Sequence, residues 1–148
     1  MGLFQSFDIC ASGMTAERFR MDTIAENIAN VRTTRTEDGT PYRRKIVTFE
    51  EKTKSSAFAD VLQGKQAFLG NGVKVSKISE DYENDFIAEY DPSNPDADEY
   101  GYVYYPNVNT VTEMTNLIDA SRAYEANVTA FQAVKSMAQT GITAGGNS

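Results

Sequence analysis

Residues 3–31 read LFQSFDICASGMTAERFRMDTIAENIANV. The apolar positions Leu3, Phe7, Cys10, Met14, Met21, Ile24, Ile28 and Val31 are spaced 4-3-4-7-3-4-3. That is the heptad-like seam of one long helix, and the interval of seven skips Glu17, the single charged intruder. Phe4, Ala11, Phe19 and Ala25 widen the apolar face. Gly13 lies inside the pattern, where it costs ~1 kcal/mol against alanine. A close helix–helix approach and a local kink would each account for it. Asn27 and Asn30 interrupt the seam with two amides, which are mediocre helix formers, just before Thr33 and Thr34.

A second seam closes the chain. Met114, Leu117, Tyr124, Val128, Phe131 and Ala138 follow 3-7-4-3-7, with Ser121 and Lys135 in the gaps. Pro106 precedes it, Thr110 and Glu113 form a T-x-x-E capping box, and Gly141 is the expected stop. The tail beyond reads as frayed. Between the seams, YRRKIVTFEE (42–51), GVKVSKIS (72–79), DFIAEY (85–90) and YGYVYY (100–105) are strand candidates, punctuated by Gly39-Thr40-Pro41, Gly70-Asn71-Gly72 and Asp91-Pro92. The expected fold is α+β: long N- and C-terminal helices form an antiparallel coiled coil, with a small β-rich insertion between them. The expected division is a helical part of residues 1–34 and 108–141, a β-rich part of 35–107 and a flexible tail of 142–148.

Composition narrows the function classes. The chain has 148 residues, a net charge of −7, one cysteine and no histidine or tryptophan. Hydrophobic residues make up 41%, too many for wholesale disorder. No basic stripe suggests nucleic acid. No run of ~20 apolar residues predicts an integral membrane protein. The N-terminus lacks the basic and apolar regions of a cleaved signal, and Met1-Gly2 with Ser6 fits a myristoylation pattern only loosely. Cys10 cannot form an internal disulfide and reads as a small seam residue rather than a reactive thiol.

Chemistry finds little support. Without histidine, the usual general base and the commonest zinc ligand are both missing. Residues 80–99 hold nine acids (Glu80, Asp81, Glu83, Asp85, Glu89, Asp91, Asp96, Asp98 and Glu99) and no Lys or Arg, but no apolar pocket to tune them. Asp96, Asp98 and Gly101 match part of a calcium loop, yet Tyr100 and Asn107 stand where ligands are needed. No catalytic residue, cofactor, metal or small-molecule substrate is therefore expected. Residues 35–54 carry six bases against four acids. The acidic and basic stretches read as solvated faces, or as patches that meet on neighbouring copies or partners.

The alanines Ala120, Ala123, Ala126 and Ala130, with Phe4 and Phe19, leave more apolar surface than one two-helix seam encloses. Either many helices pack together, with the termini ordering on association, or the β region folds back to make a compact monomer.

The two end segments carry a resemblance. SGMTAERFRMDTIAENIANVRTTR (12–35), with its Asn27-Ile28-Ala29-Asn30 core, resembles the N-terminal signature of bacterial flagellar axial proteins, the rod and hook family. EMTNLIDASRAYEANVTAFQAVKSM (113–137), with Arg122, Tyr124, Ala126 and Asn127, resembles the C-terminal one. DPSNPDADEYGYVYYPNVN (91–109) is similar to the pattern of a proximal rod subunit, with Asn94 where histidine is usual. The resemblance implies a structural subunit of the basal-body rod, in the periplasmic space. Its terminal helices would surround a central channel, and the chain would leave the cell unfolded through the flagellar type III apparatus. Implied neighbours are copies of itself, the other proximal and distal rod proteins, the rod-base adaptor at the export gate and the MS ring. The residues implied at the interfaces are Leu3, Phe7, Met14, Met21, Ile24, Asn27, Ile28, Asn30, Val31, Met114, Leu117, Arg122, Tyr124, Asn127, Val128 and Phe131. Asn27 and Asn30 would bond neighbouring helices or backbone near the helix end, Asn30 alternatively as a C-cap. A coiled-coil component or adaptor of a related secretion apparatus is the other reading.

Overall fold

The computed structural model describes residues 3–52 and 70–146. In chain order the elements are α1 (Leu3–Ala29), β1 (Lys45–Glu51), β2 (Val73–Glu80), β3 (Ile87–Tyr90), β4 (Tyr102–Tyr105) and α2 (Thr110–Gly146). The α+β class is thus observed, with both helices at the ends and the strands between them. All four strand candidates form strands. β1 pairs with β2 and β3 with β4. The backbone bonds Lys52 N to Gly72 O and Asp81 N to Arg44 O bracket the first pair as antiparallel. In the second, Ile87 faces Tyr105 and Tyr90 faces Tyr102, also antiparallel.

The end of α1 follows the C-cap alternative for Asn30, and both ends of α2 differ from the sequence reading. α1 stops at Ala29, where Asn30 takes over as a C-cap: its backbone N and its Nδ2 both donate to Glu26 O. Thr33 Oγ1 then donates to Asn30 Oδ1 at 3.1 Å, so the amide and the threonine after it close the turn. At the start of α2 the capping box is not made by Thr110, which is already helical. The cap is Asn109, whose Oδ1 accepts from the backbone N of Val111 at 3.0 Å and of Thr112 at 3.1 Å. Glu113 is thereby released for another use. Gly141 does not end α2 either. The helix runs on to Gly146, and Gly141 is not among the glycines with positive φ, so the left-handed stop conformation is absent there.

The chain divides into two compact units. One comprises Met1–Phe19, Phe49–Ser76 and Ser121–Ser148, the other Arg20–Thr48 and Lys77–Ala120. In the first, Phe7 and Phe131 meet edge to face with centroids 4.9 Å apart, and Gly13 lies against Asn127, so the two helices run antiparallel. In the second, Ile24, Tyr42, Val103, Val108 and Ala120 form the buried apolar set.

Candidate assembly interface

The second unit is built around a polar network. Asn27 and Glu113 are each 1% exposed. Asn27 Nδ2 donates to Lys45 O at 2.9 Å and to Glu113 Oε2 at 3.1 Å. Its Oδ1 accepts from Tyr42 OH and from Lys45 N, both at 2.9 Å. Both ends of the amide are thus doubly occupied, which is its full hydrogen-bonding capacity. Glu113 Oε1 accepts the forked guanidinium of Arg44, from Nε at 2.9 Å and Nη2 at 2.8 Å. Arg44 Nη1 also lies 3.5 Å from Asp81 Oδ2. Asn107 completes the set: its Oδ1 accepts from Arg44 N, and its Nδ2 donates to Asp81 O and Asn84 O.

The charges in this network are matched to their surroundings. The side chain of Asn84 donates to Asp81 and holds its carboxyl below the usual aspartate range, helped by the backbone N–H groups of Asn84 and Glu83 and by Arg44. Burial, then the carboxylate of Glu26, pushes the Tyr42 phenol upward, so Tyr42 stays a hydrogen-bond donor. The two carboxylates are engaged with Arg44 and with amides, an arrangement that fixes geometry rather than one that holds a proton for transfer.

The first unit uses close approach instead. A Cβ at Gly13 would come within 2.6 Å of Asn127 Oδ1, so the glycine serves helix–helix contact; of the two readings left open by the sequence, close approach is the one observed. Asn127 Nδ2 is turned back to Ala123 O at 2.9 Å. Gly72, at φ 95°, leads β2 over α1, where a Cβ would meet Ser12 Oγ at 2.1 Å. Ser12 Oγ donates to Ile9 O and accepts from Val73 N.

The interface residues expected from sequence are distributed unevenly. Ile24 and Asn27 are buried. Phe7, Met14, Met21, Ile28, Asn30, Val31, Leu117, Tyr124, Asn127, Val128 and Phe131 are half-buried. Arg122 and Met114 are exposed, and Leu3 lies outside the described side chains. The amide of Asn27 finds all its partners within its own chain. Met114 turns outward because Glu113 holds the inward position, and one residue rotates a helix by ~100°. Val111, Met114 and Ile118, spaced three and four apart, form an apolar stripe on the outer side of α2, with Val111 75% exposed. Phe4 is 81% exposed, and Phe19 also reaches solvent. Ala120, expected to need outside cover, is completely buried. Sequence pattern does not single out Arg44, Asp81, Asn107 and Glu113 as network residues. The available signal is a Glu at an inward helical position, paired with the cluster Arg43-Arg44-Lys45 ahead of a strand.

Known proteins match this chain along its length. The family described as "Flagella basal body rod protein" matches residues 7–35, and "Flagellar basal body rod FlgEFG protein C-terminal" matches 100–144. The flagellar basal-body rod protein FlgC of Bacillus subtilis (strain 168) is 44% identical over 98% of this chain and 99% of its own length. FlgC of Borreliella burgdorferi is 43% identical, covering 96% of this chain and 97% of that protein. FlgC of Escherichia coli O6:H1 is 39% identical, covering 98% and 99%. With both end signatures matched and near-complete coverage at this identity, the chain belongs to the FlgC family of flagellar basal-body rod proteins.

Proposed function

We infer that this chain is a structural subunit of the proximal rod of the flagellar basal body, and that its outward apolar stripes are its contacts with other subunits. The observation that carries the second half is the Val111–Met114–Ile118 stripe: three large apolar side chains on one helix face, left in water by a chain that has otherwise satisfied that helix's inner side. Phe4 on α1 and Met137 and Ile142 on α2 offer further exposed apolar surface. Contacts between unlike faces whose rotation does not close generate a helical tube. In this reading residues 1–34 and 108–141 form the inner wall around a channel, and residues 35–107 lie further out. The chain reaches its place in the periplasmic part of the basal body through the flagellar type III apparatus and there meets other proximal and distal rod proteins, the rod-base adaptor and the MS ring. Catalysis has no part in it.

The test separates folding from assembly. Met114→Ser with Ile118→Ser should leave the melting of the purified chain within about 0.5 kcal/mol of the parent, as for exposed positions. In cells whose own copy is deleted, the variant should fail to complete rods, seen by electron microscopy of basal bodies and as lost swimming. Normal rods built from the double variant would overturn the assignment of this face.

A further inference from the structure

The β3–β4 ribbon has two unlike faces. Its register places Glu89 and Val103 on one side, and Tyr90, Tyr102, Ala88 and Tyr104 on the other. Val103 is completely buried beneath the tyrosine face, while Ile87 on the Val103 side also reaches solvent. Tyr90 is 65% exposed there, Tyr102 and Tyr104 less so, and Tyr100 in the connecting loop 80%. Tyr90 and Tyr102 stand edge to face, centroids 5.4 Å apart, which fixes the two rings while leaving surface open. The ribbon and its loop carry five of the nine acids of residues 80–99, and no base: Glu89 on the Val103 side, and Asp91, Asp96, Asp98 and Glu99 in the loop between the strands. Aromatic faces and carboxylates together attract a guanidinium, by the ring quadrupole and by charge. Unit two already contains the aromatic half of such an arrangement: Arg43 sits 4.5 Å from the Tyr82 centroid and 4.2 Å from that of Phe86, and donates to the backbone carbonyl of Asp81.

We propose that the tyrosine face of this ribbon docks an arginine-bearing surface of another protein. A second copy of this chain is the poorer occupant, because each copy carries −7 and two of the arginines in its basic stretch are already engaged, Arg44 with Glu113 and Arg43 on the Tyr82 and Phe86 rings. Addition of a partner strand is also disfavoured, since β3 and β4 have only four residues each. Rigid tyrosines with two rotatable bonds suit a contact that loses little entropy on binding. Given the rod reading, the partner is a neighbouring basal-body protein, but the recognition itself can be tested without it.

The purified full chain is titrated with a fluorescent alternating Arg-Ala peptide, its Lys-Ala counterpart and a Glu-Ala control, at physiological salt. The arginine peptide should bind about threefold tighter than the lysine one, the margin expected for exposed stacking, and the glutamate peptide should not bind. Tyr102→Ser with Tyr104→Ser should equalise the arginine and lysine peptides, and Tyr104→Phe should keep the preference. Tyr104→Ser alone, whose melting should match the parent, guards against loss through unfolding and should reduce the preference. Equal binding of the two cationic peptides by the parent chain, or a preference that survives loss of the tyrosines, would overturn the proposal. Self-association in sedimentation that the tyrosine variants abolish would overturn the choice of occupant. Since none of these readouts uses assembled rods, their failure leaves the assembly reading standing, and failed rods leave this one standing.

Discussion

The two compact units join the ends of the chain by opposite means. In the second, a charged and amide network reaches across: Asn27 from α1, Arg44 from the approach to β1, Asp81 after β2, and Glu113 from α2. In the first, α1 and α2 meet through a ring contact, Phe7 on Phe131, and through a missing side chain, Gly13 under Asn127. A network of fully paired buried groups penalises every wrong register, because each displaced partner leaves another without a bond. Close packing is more tolerant of small slides and senses volume instead. Register and fit are separate requirements, here met in separate stretches of the same two helices.

The contrast between the units is tested most severely at Glu113. Glu113→Ala removes the partner of Arg44 and of Asn27 Nδ2 together, and should cost about 3 kcal/mol in chemical denaturation, as when a buried pair loses one member. Loss of well under 1 kcal/mol would show that the network is decoration on an apolar core. Next comes Gly13→Ala. Alanine favours a helix by ~1 kcal/mol, so a simple helix would be stabilised. Here the added methyl meets Asn127 at 2.6 Å, and the net result should be a loss of about 1 kcal/mol. Adding Asn127→Ala should recover part of that loss, and a stabilised single variant would remove close approach as the reason for the glycine. The smallest effect concerns acid. Asp81 has a folded pKa below its unfolded value, so its contribution is complete above the ordinary aspartate range, about pH 4, and is lost as pH falls through the lower folded value. Melting followed from pH 7 to pH 2.5 should decline less steeply in Asp81→Asn than in the parent; parallel curves would deny Asp81 this role.

Much of the architecture is legible because it rests on periodicity. The 4-3 spacing around Met21, Ile24 and Ile28 belongs to a helix and the alternation in GVKVSKIS to a strand, and both form. Helix ends are harder. Thr110 and Glu113 have the spacing of a cap, but Asn109 one residue earlier is the better cap and takes the site. That exchange of one cap for another hides Glu113, whose real partner is 69 residues away. Asn27 stands out in an apolar seam, and the seam alone points its amide toward neighbouring helices. Its partners are the Tyr42 hydroxyl, the Lys45 backbone of β1 and Glu113 of α2, a relation between distant segments that local pattern does not encode. Gly141 fails as a stop because a glycine ends a helix only by adopting the left-handed conformation, and the residues beyond it continue the helix instead. The end signatures are legible as those of a structural family, and the chain belongs to the flagellar basal-body rod proteins.

Asn27 and Glu113 lie 86 positions apart, and everything else in their network lies between them. A polypeptide that appears from its first residue onward therefore has its keystone missing until most of its length has emerged. Joining such remote positions is an entropically slow event, increasing with the logarithm of the loop. The early helix must wait for the late one, and the waiting keeps the chain pliable for as long as it is still arriving.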